Sequence, residues 1–426
     1  MTAEKVHIIG GGTVSHVRSH LALTAPAYGT TARQLAELCR EHSDRYQVNV
    51  HLTKMANAGQ GGLETNQDIA ELVNALVNDK STKMIFFNPA ITDFTGSILV
   101  PRNDGGITTE SGKYVERLRT RENPIVTMEL SVAPKIIGEI RKERKDIYLV
   151  GFKTTTGASE DEQYIEGLHL LKRASANLVL ANDVRTRTNM IITPEEARYH
   201  ITTNRAEALQ NLVEMAYLRS DLHFTRSTVV DGEAVSWSSD LVPATLRQVV
   251  DYCIDRGAYK PFRGKTAGHF AVKVNDRTFL TSRRKTNFNS MENVGLVRVE
   301  TDGDDKVIAY GGKPSVGGQS QRIIFSQHPE YDSIVHFHCP IKDSSEVPVR
   351  SQRPYECGSH ECGENTSSGL QKFGNLSAVY LDQHGPNIVF NSARVEPREV
   401  IGFIEDNFEL SRKTGGAVSI GGTYAY

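Results

Sequence analysis

Short apolar runs alternate with longer amphipathic segments through the first half of the 426-residue chain, and this alternation restricts the fold more than any other feature. Each apolar run has the length of a buried strand, and the segments between runs place apolar residues three and four positions apart, the helical spacing. Strands that alternate with helices form a parallel sheet covered on both faces, so we predict an α/β fold with a doubly wound, Rossmann-like parallel sheet. The strand-like runs are VHIIG (6–10), VNVHL (48–52), MIFFNPA (84–90), IYLVGF (147–152) and NLVLAND (177–183).

The pattern changes at residues 226–244, which are rich in Ser, Thr, Gly and Asp and show no apolar period. We predict that this stretch is a linker between a first domain at 1–225 and a second at 245–426. In the second domain, strand-like runs follow one another across turns such as VNDR and TDGDD, and helical segments accompany them. This order indicates a second domain of the α+β kind.

The composition narrows the class of function. The chain has 49 Lys and Arg against 51 Asp and Glu, a net charge of −2, which disfavours a generally basic nucleic-acid binder. No apolar run approaches the ~20 residues of a membrane span, and no signal-peptide core follows the first residues. Five unevenly placed cysteines do not suit a disulfide scaffold. We therefore expect a cytoplasmic protein that acts on a small molecule, with neither nucleic acid nor membrane as partner.

A pair of histidines, His336 and His338, lies near the end of an apolar strand-like run. Side chains two positions apart in a strand point to the same face, so both imidazoles can bind one ion. A third histidine, His384, follows another strand-like run. Three imidazoles at strand ends predict a site for a divalent metal with positions open for substrate. The alternative is three buried histidines that are satisfied by hydrogen bonds.

The second half also resembles a known family, the class II aldolase/adducin family, over residues 245–412. The matching segments occur in the family's order: GKTAGHFAVKV (264–274), FLTSRR (279–284), GGKPS (311–315), HPEYDSIVHFH (328–338), PYECGSHE (354–361) and AVYLDQHG (378–385). The resemblance implies an α/β/α domain in which the same three histidines bind a divalent metal, zinc before others. It also implies a phosphate or carboxylate site among hydroxyl side chains, for which the candidates are Thr281, Ser282 and Ser315.

The sequence departs from this family where acid/base chemistry is expected. The family's Glu, a ligand and acid/base in many members, aligns with Gly317, and its loop Asn aligns with His269. Without a carboxylate at 317, retro-aldol proton transfer has no obvious base, and His269 is the catalytic candidate if its imidazole faces the metal.

A second cluster of ligand types lies downstream of the histidine pair. Cys357, His360 and Cys362 have a spacing that suits a second zinc, with Cys339 as a fourth ligand. The alternative is a set of small buried thiols.

The first half resembles another family, phosphopantothenoylcysteine synthetase, over residues 5–215. Its motifs appear in order as IIGGGT (8–13), PAITDF (89–94), GKYVER (112–117), LVGFKTTTG (149–157) and Ala-Asn-Asp-Val at 181–184. That family binds CTP with Mg²⁺ and activates a carboxylate as a cytidylate. The resemblance implies a site for CTP or another nucleotide, with backbone N–H groups and a helix N-terminus around the phosphates. Gly10, Gly11 and Gly12 are the candidates for binding the phosphates, and Lys113 is the candidate catalytic cation. Phe152 is the candidate for stacking on the base, and Asp93 and Asn182 are the candidates for contacts with the ribose or the base edges.

Each of these residues also has a structural interpretation: glycines for a tight turn, Phe152 in the core, Asp93 as a helix cap. The family's Asn that holds the acyl cytidylate aligns with Ala22, which weakens the case for an amide-forming ligase.

Three functions follow from these patterns. The first is a two-domain enzyme whose second domain performs metal-dependent lyase, dehydratase or epimerase chemistry on a phosphorylated or nucleotide-linked hydroxy-carbonyl substrate, while the first binds nucleotide or phosphate. The alternatives are a CTP- or ATP-dependent ligase or transferase, and a non-catalytic adducin-like assembly protein. Because both resembled families form oligomers, we expect a homodimer or homotetramer.

Overall fold

The computed structural model describes residues 3–42, 44–101, 107–121, 125–303, 306–315 and 318–415. The chain forms two compact units. The first contains the residues up to Ile192 together with His200–Ser220, and the second contains Thr193–Tyr199 together with the residues from Asp221 onwards. A seven-residue segment from the first half of the chain therefore belongs structurally to the second unit.

The first unit is built on a seven-stranded sheet. Its elements in chain order are β1 (Lys5–Gly12), β2 (Val14–Arg18), β3 (Leu21–Thr24), α1 (Thr30–His42), β4 (Gln47–Leu52), α2 (Asn66–Asn78), β5 (Thr82–Ala90), β6 (Phe94–Pro101), β7 (Ile107–Glu110), β8 (Met128–Val132), α3 (Ile137–Glu143), β9 (Tyr148–Thr155), α4 (Glu160–Ala174), β10 (Leu178–Asp183), β11 (Asn189–Ile192), β12 (Arg198–Thr202) and α5 (Arg205–Ser220). The sheet order is β4-β1-β5-β9-β10-β11-β12, and the first five of these strands are parallel.

The helices of the first unit form two groups. Helix α1 packs with α5, whereas α3 packs with α2 and α4. Right-handed crossovers on the two sides of β1 place these groups on opposite faces of the sheet. The predicted doubly wound α/β architecture is confirmed. The chain order of the parallel strands is 2-1-3-4-5, so the topological switch point, where such folds bind ligands, lies at β1.

His7 gives this unit a pH-dependent stability. The side chain is 4% exposed in β1, and its Nδ1 forms a 3.0 Å hydrogen bond with Nε2 of His51. Burial first, and His51 second, lower the pKa of His7 from its usual 6.5 to about 4. Between these pH values the unfolded chain binds a proton that the folded chain does not, so the stability present at neutral pH is lost as the pH falls.

We therefore expect His7→Gln to flatten the pH dependence of unfolding. The wild-type free energy of unfolding should fall between pH 6.5 and 4.5 by roughly 1–2 kcal/mol more than that of the variant. Urea unfolding at several pH values measures this difference, with His20→Gln, at an exposed histidine of the same unit, as the control. Parallel curves for wild type and His7→Gln would contradict the assignment.

The second unit is built on a ten-stranded sheet. Its elements are β13 (Arg226–Val230), α6 (Ala244–Asp255), β14 (Pro261–Phe262), β15 (Lys265–Thr266), β16 (His269–Lys273), β17 (Thr278–Ser282), a 3₁₀ turn (Phe288–Ser290), α7 (Met291–Val294), β18 (Leu296–Thr301), β19 (Lys306–Tyr310), α8 (Gly318–Gln327), β20 (Ser333–His336), β21 (Val349–Arg350), α9 (His360–Gly369), β22 (Gln371–Phe373), β23 (Leu376–Leu381), β24 (Gly385–Phe390) and α10 (Pro397–Asn407). The order is β13-β19-β18-β17-β16-β20-β24-β23-β21, with β22 also on β23.

Two hydrophobic clusters lie on the two faces of this sheet because successive strand residues point to opposite sides. Phe270 and Val272 of β16 belong to the cluster that includes residues of α6 and α10. Ala271, between them, belongs to the cluster that includes Ile324 and Phe325 of α8. Helices thus cover both faces, and the predicted α/β/α layering is confirmed.

The stretch predicted as a linker, 226–244, is part of this unit. Strand β13 pairs in parallel with β19, Val235 bridges Leu296, and Trp237 is 5% exposed in the core. Its polar composition reflects an edge strand whose residues are mostly exposed. None of the described helices is long and apolar enough to cross a membrane.

Candidate functional site

Three histidines lie together at one end of the sheet of the second unit. His336 is the last residue of β20, His338 follows two residues later, and His384 directly precedes β24. Because β20 and β24 are antiparallel neighbours, the end of one strand meets the start of the other. All three side chains are buried, and their ligand nitrogens lie within 4.8 Å of one another. The structure brings together the three residues that the sequence selects.

His336 is oriented by its surroundings. Its Nδ1 donates a 2.7 Å hydrogen bond to the carbonyl of Pro386, which leaves the lone pair on Nε2. That Nε2 is buried and has no hydrogen-bond partner within the described residues. Burial lowers the pKa of His336 to about 4, so the imidazole is neutral at pH 7, as a metal ligand must be.

The three histidines fit a divalent ion. Two nitrogens that bind one tetrahedral Zn²⁺ at about 2.1 Å are separated by roughly 3.4 Å. The observed separations of up to 4.8 Å reach that value by small side-chain rotations. The donors are all imidazoles, a set that suits Zn²⁺ or another first-row metal and leaves positions open.

His269 lies beside the three histidines. It pairs with His336 across β16 and β20, and the two ring centroids are 4.6 Å apart. The side-chain amide of Gln321 in α8 donates a 2.7 Å hydrogen bond to Nδ1 of His269, which leaves the ring proton on Nε2. Burial, and then His336, lower the pKa of His269 well below 6.5. The sequence predicts His269 as a catalytic base if its imidazole faces the metal; in this setting it is a neutral N–H donor.

The position of the missing carboxylate, Gly317, lies outside the described residues. The sequence indicates only that Gln321 could fill space or bind a water near the missing carboxylate; in the structure it lies in the first half of α8 and reaches His269. A helix-period pattern alone does not reveal that a polar residue on the inner face has a buried partner.

The candidate anion-site residues separate into two groups. Ser315 lines a cavity of about 200 Å³, which is also lined by Arg284, Thr225 and Ser227. The side chains of Thr281 and Ser282 do not line it: both are fully buried, and the Thr281 hydroxyl donates to the carbonyl of Phe270. Ser282 contributes through its carbonyl, which accepts the N–H of Ser315 at 2.9 Å.

This cavity is on the histidine side of the sheet. Its apolar wall, Phe279, Val299 and Val307, belongs to the cluster on the α8 face. By the alternation along β16 and β20, His269 and His336 point to that same face as Ala271 and Ile334. One strand, β16, separates β17, which lines the cavity, from β20, which carries His336.

Three of the cavity residues carry no sequence signal. Thr225 is the last residue of the predicted first domain and Ser227 lies at the start of the predicted linker, both outside the family motifs. Arg284 lies within the FLTSRR motif, where only the hydroxyl residues suggest anion binding.

The predicted second zinc cluster does not form. The Nε2 atom of His360 is hydrogen-bonded to the hydroxyl of Thr225 at 2.8 Å, and the Cys362 thiol lies against the side chain of Gln352. Cys339 donates to the carbonyls of Ala258 and Leu410. Within the ranges that the structure describes, the histidine cluster is the one group suited to a metal.

In the first unit, the glycines at the end of β1 are required by packing. A Cβ on Gly10 would lie 2.3 Å from Cβ of Ala32 in α1, and Gly11 has φ +100°. The N–H of Gly12 donates to the carbonyl of Ala27 at 2.8 Å, so this amide is satisfied within the protein. The hairpin β2–β3 separates β1 from α1, so no helix directly follows the glycines.

An open cleft of about 430 Å³ lies at this end of β1, lined by Gly12, Val14, Lys54, Met55, Gly59 and Glu64. The Nζ atom of Lys113 lies 2.6 Å from Oε2 of Glu64, and the Nζ atom of Lys54 lies 3.0 Å from the same oxygen. The hydrogen bond from Lys113 is the largest of the effects that lower the pKa of Glu64 to about 2. Lys113 therefore neutralises a carboxylate at the edge of the cleft.

The other nucleotide candidates lie elsewhere along the same sheet. Phe152 is half-buried in β9, and Asn182 in β10 accepts a 3.3 Å hydrogen bond from Thr154. Asp93 is exposed and paired with Lys135. Because β5 and β9 separate β10 from β1, the candidates do not converge on one point.

Comparison with known proteins agrees with both resemblances. Residues 247–342 match the family model "Class II Aldolase and Adducin N-terminal domain". The chain is also similar to the coenzyme A biosynthesis bifunctional protein CoaBC of Thermococcus kodakarensis, with 28% identity over 123 residues. That match covers 29% of this chain and 27% of the relative. The protein thus combines a synthetase-like domain with a class II aldolase-like domain, and both relationships suggest an enzyme.

Solved structures are similar at low identity. The DNA/pantothenate metabolism flavoprotein from Streptococcus pneumoniae has a TM-score of 0.40 and 19% identity, over 50% of this chain and 97% of that chain. An L-fuculose 1-phosphate aldolase has a TM-score of 0.30 and 16% identity, over 40% of this chain and 82% of that chain.

Proposed function

We propose that the second unit is a metal-dependent enzyme, with zinc as the first candidate metal, that removes or adds a proton next to the carbonyl of a small phosphorylated hydroxy-carbonyl compound. Lyase, dehydratase and epimerase reactions share this step. The observation that supports the proposal best is the buried cluster of His336, His338 and His384, whose ligand nitrogens lie within 4.8 Å of one another.

A divalent ion held by the three histidines would supply Lewis-acid polarisation of the substrate carbonyl. The proton that leaves carbon would pass to solvent water, and two of the protein's own groups would assist. His269, with its proton on Nε2, would donate a hydrogen bond beside the histidines as negative charge develops on a substrate oxygen. Gln321 would hold that tautomer through its bond to Nδ1.

The phosphate handle would lie in the 200 Å³ cavity. Arg284 would provide the positive charge, and the hydroxyls of Ser315, Thr225 and Ser227 would provide hydrogen-bond donors. One strand, β16, separates β17 of the cavity from β20, so a phosphorylated substrate that reaches both the cavity and the histidines would lie along this face of the sheet.

Exchange of substrate hydrogen with solvent tests the proposal without knowledge of the full reaction. We expect Zn²⁺-loaded protein in D₂O to exchange the C–H hydrogens of dihydroxyacetone phosphate at least about 100-fold faster than His336→Ala, because Lewis-acid polarisation of a carbonyl is worth several kcal/mol and a factor of 100 in rate is about 2.7 kcal/mol. Proton NMR follows the loss of signal.

The control is dihydroxyacetone without phosphate, which has the same carbonyl and lacks the handle. Stoichiometric metal binding with no exchange of any phosphorylated hydroxy-ketone or hydroxy-aldehyde would contradict the proposed chemistry. Absence of metal binding would contradict the site itself and favour an adducin-like assembly role.

A second candidate function concerns the first unit. Two lysines, Lys54 and Lys113, form ion pairs with the single carboxylate of Glu64 at the 430 Å³ cleft at the switch point. The excess positive charge favours a ligand with an acidic group, as in a CTP- or ATP-dependent ligase or transferase. Such a reaction releases pyrophosphate from the nucleotide, whereas the reaction proposed for the second unit does not. A pyrophosphate assay with CTP and with ATP, each with Mg²⁺, separates the two.

A further inference from the structure

Thr414 joins the backbones of two of the three clustered histidines. Its N–H donates a 3.1 Å hydrogen bond to the carbonyl of His338, and its hydroxyl donates a 3.2 Å hydrogen bond to the carbonyl of His384. The residue is 4% exposed. One side chain and its own amide therefore fix the distance between two residues that are 46 positions apart in the sequence.

The residues on both sides of Thr414, Lys413 and Gly415, both contact Glu196. Lys413 forms an ion pair with Glu196 at 2.5 Å, and both side chains are 4% exposed. Gly415 has φ +78°, and a Cβ there would lie 2.1 Å from the carbonyl oxygen of Glu196. We call Lys413, Thr414 and Gly415 the 413–415 clasp.

Glu196 belongs to the segment Thr193–Tyr199, which interrupts the first unit in sequence and is part of the second in structure. The same segment touches the turn that carries His384, because the Tyr199 hydroxyl donates to the carbonyl of Asp382 at 3.3 Å. The segment that contacts Lys413 and Gly415 therefore also contacts the turn that carries His384.

We propose that Thr414 is a positioning residue for the metal ligands His338 and His384, and that the buried Glu196–Lys413 pair holds it in place. This inference rests on the proposed metal site. Ligand imidazoles bind a metal tightly only when their backbones are held at the right separation, and the groups that hold them affect affinity strongly. A buried ion pair suits this role, because loss of one partner leaves a charge in a site with little water.

The test measures Zn²⁺ affinity of the full chain by competition with a chelator. Thr414→Val keeps the size of the side chain and removes the hydroxyl donor, and we expect Kd to rise about tenfold or more. Thr414→Ser keeps the hydroxyl and should bind within about twofold of wild type. Thr366→Val is the matched control: that buried hydroxyl donates to the carbonyl of Cys362 at 2.7 Å, away from the ligands.

The ion pair is tested in the same way. Glu196→Gln removes the charge that Lys413 pairs with and should raise Kd about tenfold or more. Glu409→Gln breaks the exposed pair with Arg412, close by in the sequence, and should leave affinity unchanged. With Co²⁺ in place of Zn²⁺, the visible absorption bands should shift in Thr414→Val and Glu196→Gln and in neither control, because they report ligand geometry rather than stability.

The outcomes separate this inference from the proposed function. If wild type binds Zn²⁺ and His336→Ala does not, while Thr414→Val and Glu196→Gln bind as wild type with unchanged Co²⁺ bands, the clasp has no positioning role. If wild type and His336→Ala bind Zn²⁺ equally, or neither binds it, the metal site itself is wrong. If Thr366→Val weakens binding as much as Thr414→Val, the effect is one of stability, which also overturns the inference.

Discussion

Replacement of His336 by alanine should weaken Zn²⁺ binding by more than about 100-fold, since even groups that only orient a ligand contribute 10–100-fold. The variant leaves two imidazoles, which hold Zn²⁺ far less tightly than three. It also removes the donor to the carbonyl of Pro386, so part of its effect is on the stability of the metal-free protein. Affinity from chelator competition, together with thermal unfolding in excess chelator, separates the two effects.

His328→Ala is the matched control for this prediction. His328 lies in the same unit, half-buried, and its Nε2 is hydrogen-bonded to the Ser367 hydroxyl at 3.0 Å rather than directed at the cluster. It should lose some stability and retain Zn²⁺. A wild-type protein that takes up no metal after addition of divalent ions, or a His336→Ala protein that retains a full equivalent, would show that the cluster is three buried histidines of the core.

The sequence predicts the five parallel strands of the first sheet because nearly all their residues are buried or half-buried. Runs such as 6–10 and 147–152 have apolar residues at nearly every position, and a strand between two helical layers needs no more than that. The sequence does not predict the small sheets of the first unit, β2–β3 and β6–β7–β8. Their strands are partly exposed and carry mixed polar and apolar residues, so neither a buried run nor a clean alternation marks them.

The histidine cluster is predictable because its geometry is local. His336 and His338 share a strand face, and His384 follows a strand that must end at the same edge. The groups that would tune the cluster are different. Gln321 reaches His269 from 52 positions away, and Thr414 reaches His338 and His384 from the far end of the chain, and no spacing rule links such residues.

Composition alone does not place two polar stretches, 226–244 and 193–199, in the second unit, to which both belong. Composition marks 226–244 as a linker, yet an edge strand also has few buried positions, so the two cannot be distinguished by polarity. Residues 193–199 lead into strand β12 of the first sheet, and no sequence pattern marks them as part of the second unit. Their place in the second unit depends on a buried Glu196 whose partner, Lys413, is 217 positions away.

Gly385→Ala should be among the most destabilising single substitutions in the second unit, at about 4 kcal/mol or more, from steric overlap added to backbone strain. Gly385 has φ +134°, and a Cβ there would lie 2.1 Å from the carbonyl oxygen of Phe337. Phe337 lies between His336 and His338, so the glycine lets the turn that carries His384 approach the other two histidines. Urea unfolding in excess chelator measures the loss in the free energy of unfolding.

Gly264→Ala provides the matched comparison, because Gly264 also has a positive φ, +71°, and a Cβ there would meet no described atom within 4 Å. Gly264→Ala should lower the free energy of unfolding by only about 1–2 kcal/mol, the strain of an alanine with left-handed backbone angles. The difference between the losses in unfolding free energy of Gly385→Ala and Gly264→Ala then measures how closely the His384 turn packs on the Phe337 backbone. If the two substitutions cost the same, the turn can move away from Phe337 without penalty, and the convergence of the three histidines is not enforced by the backbone at that point.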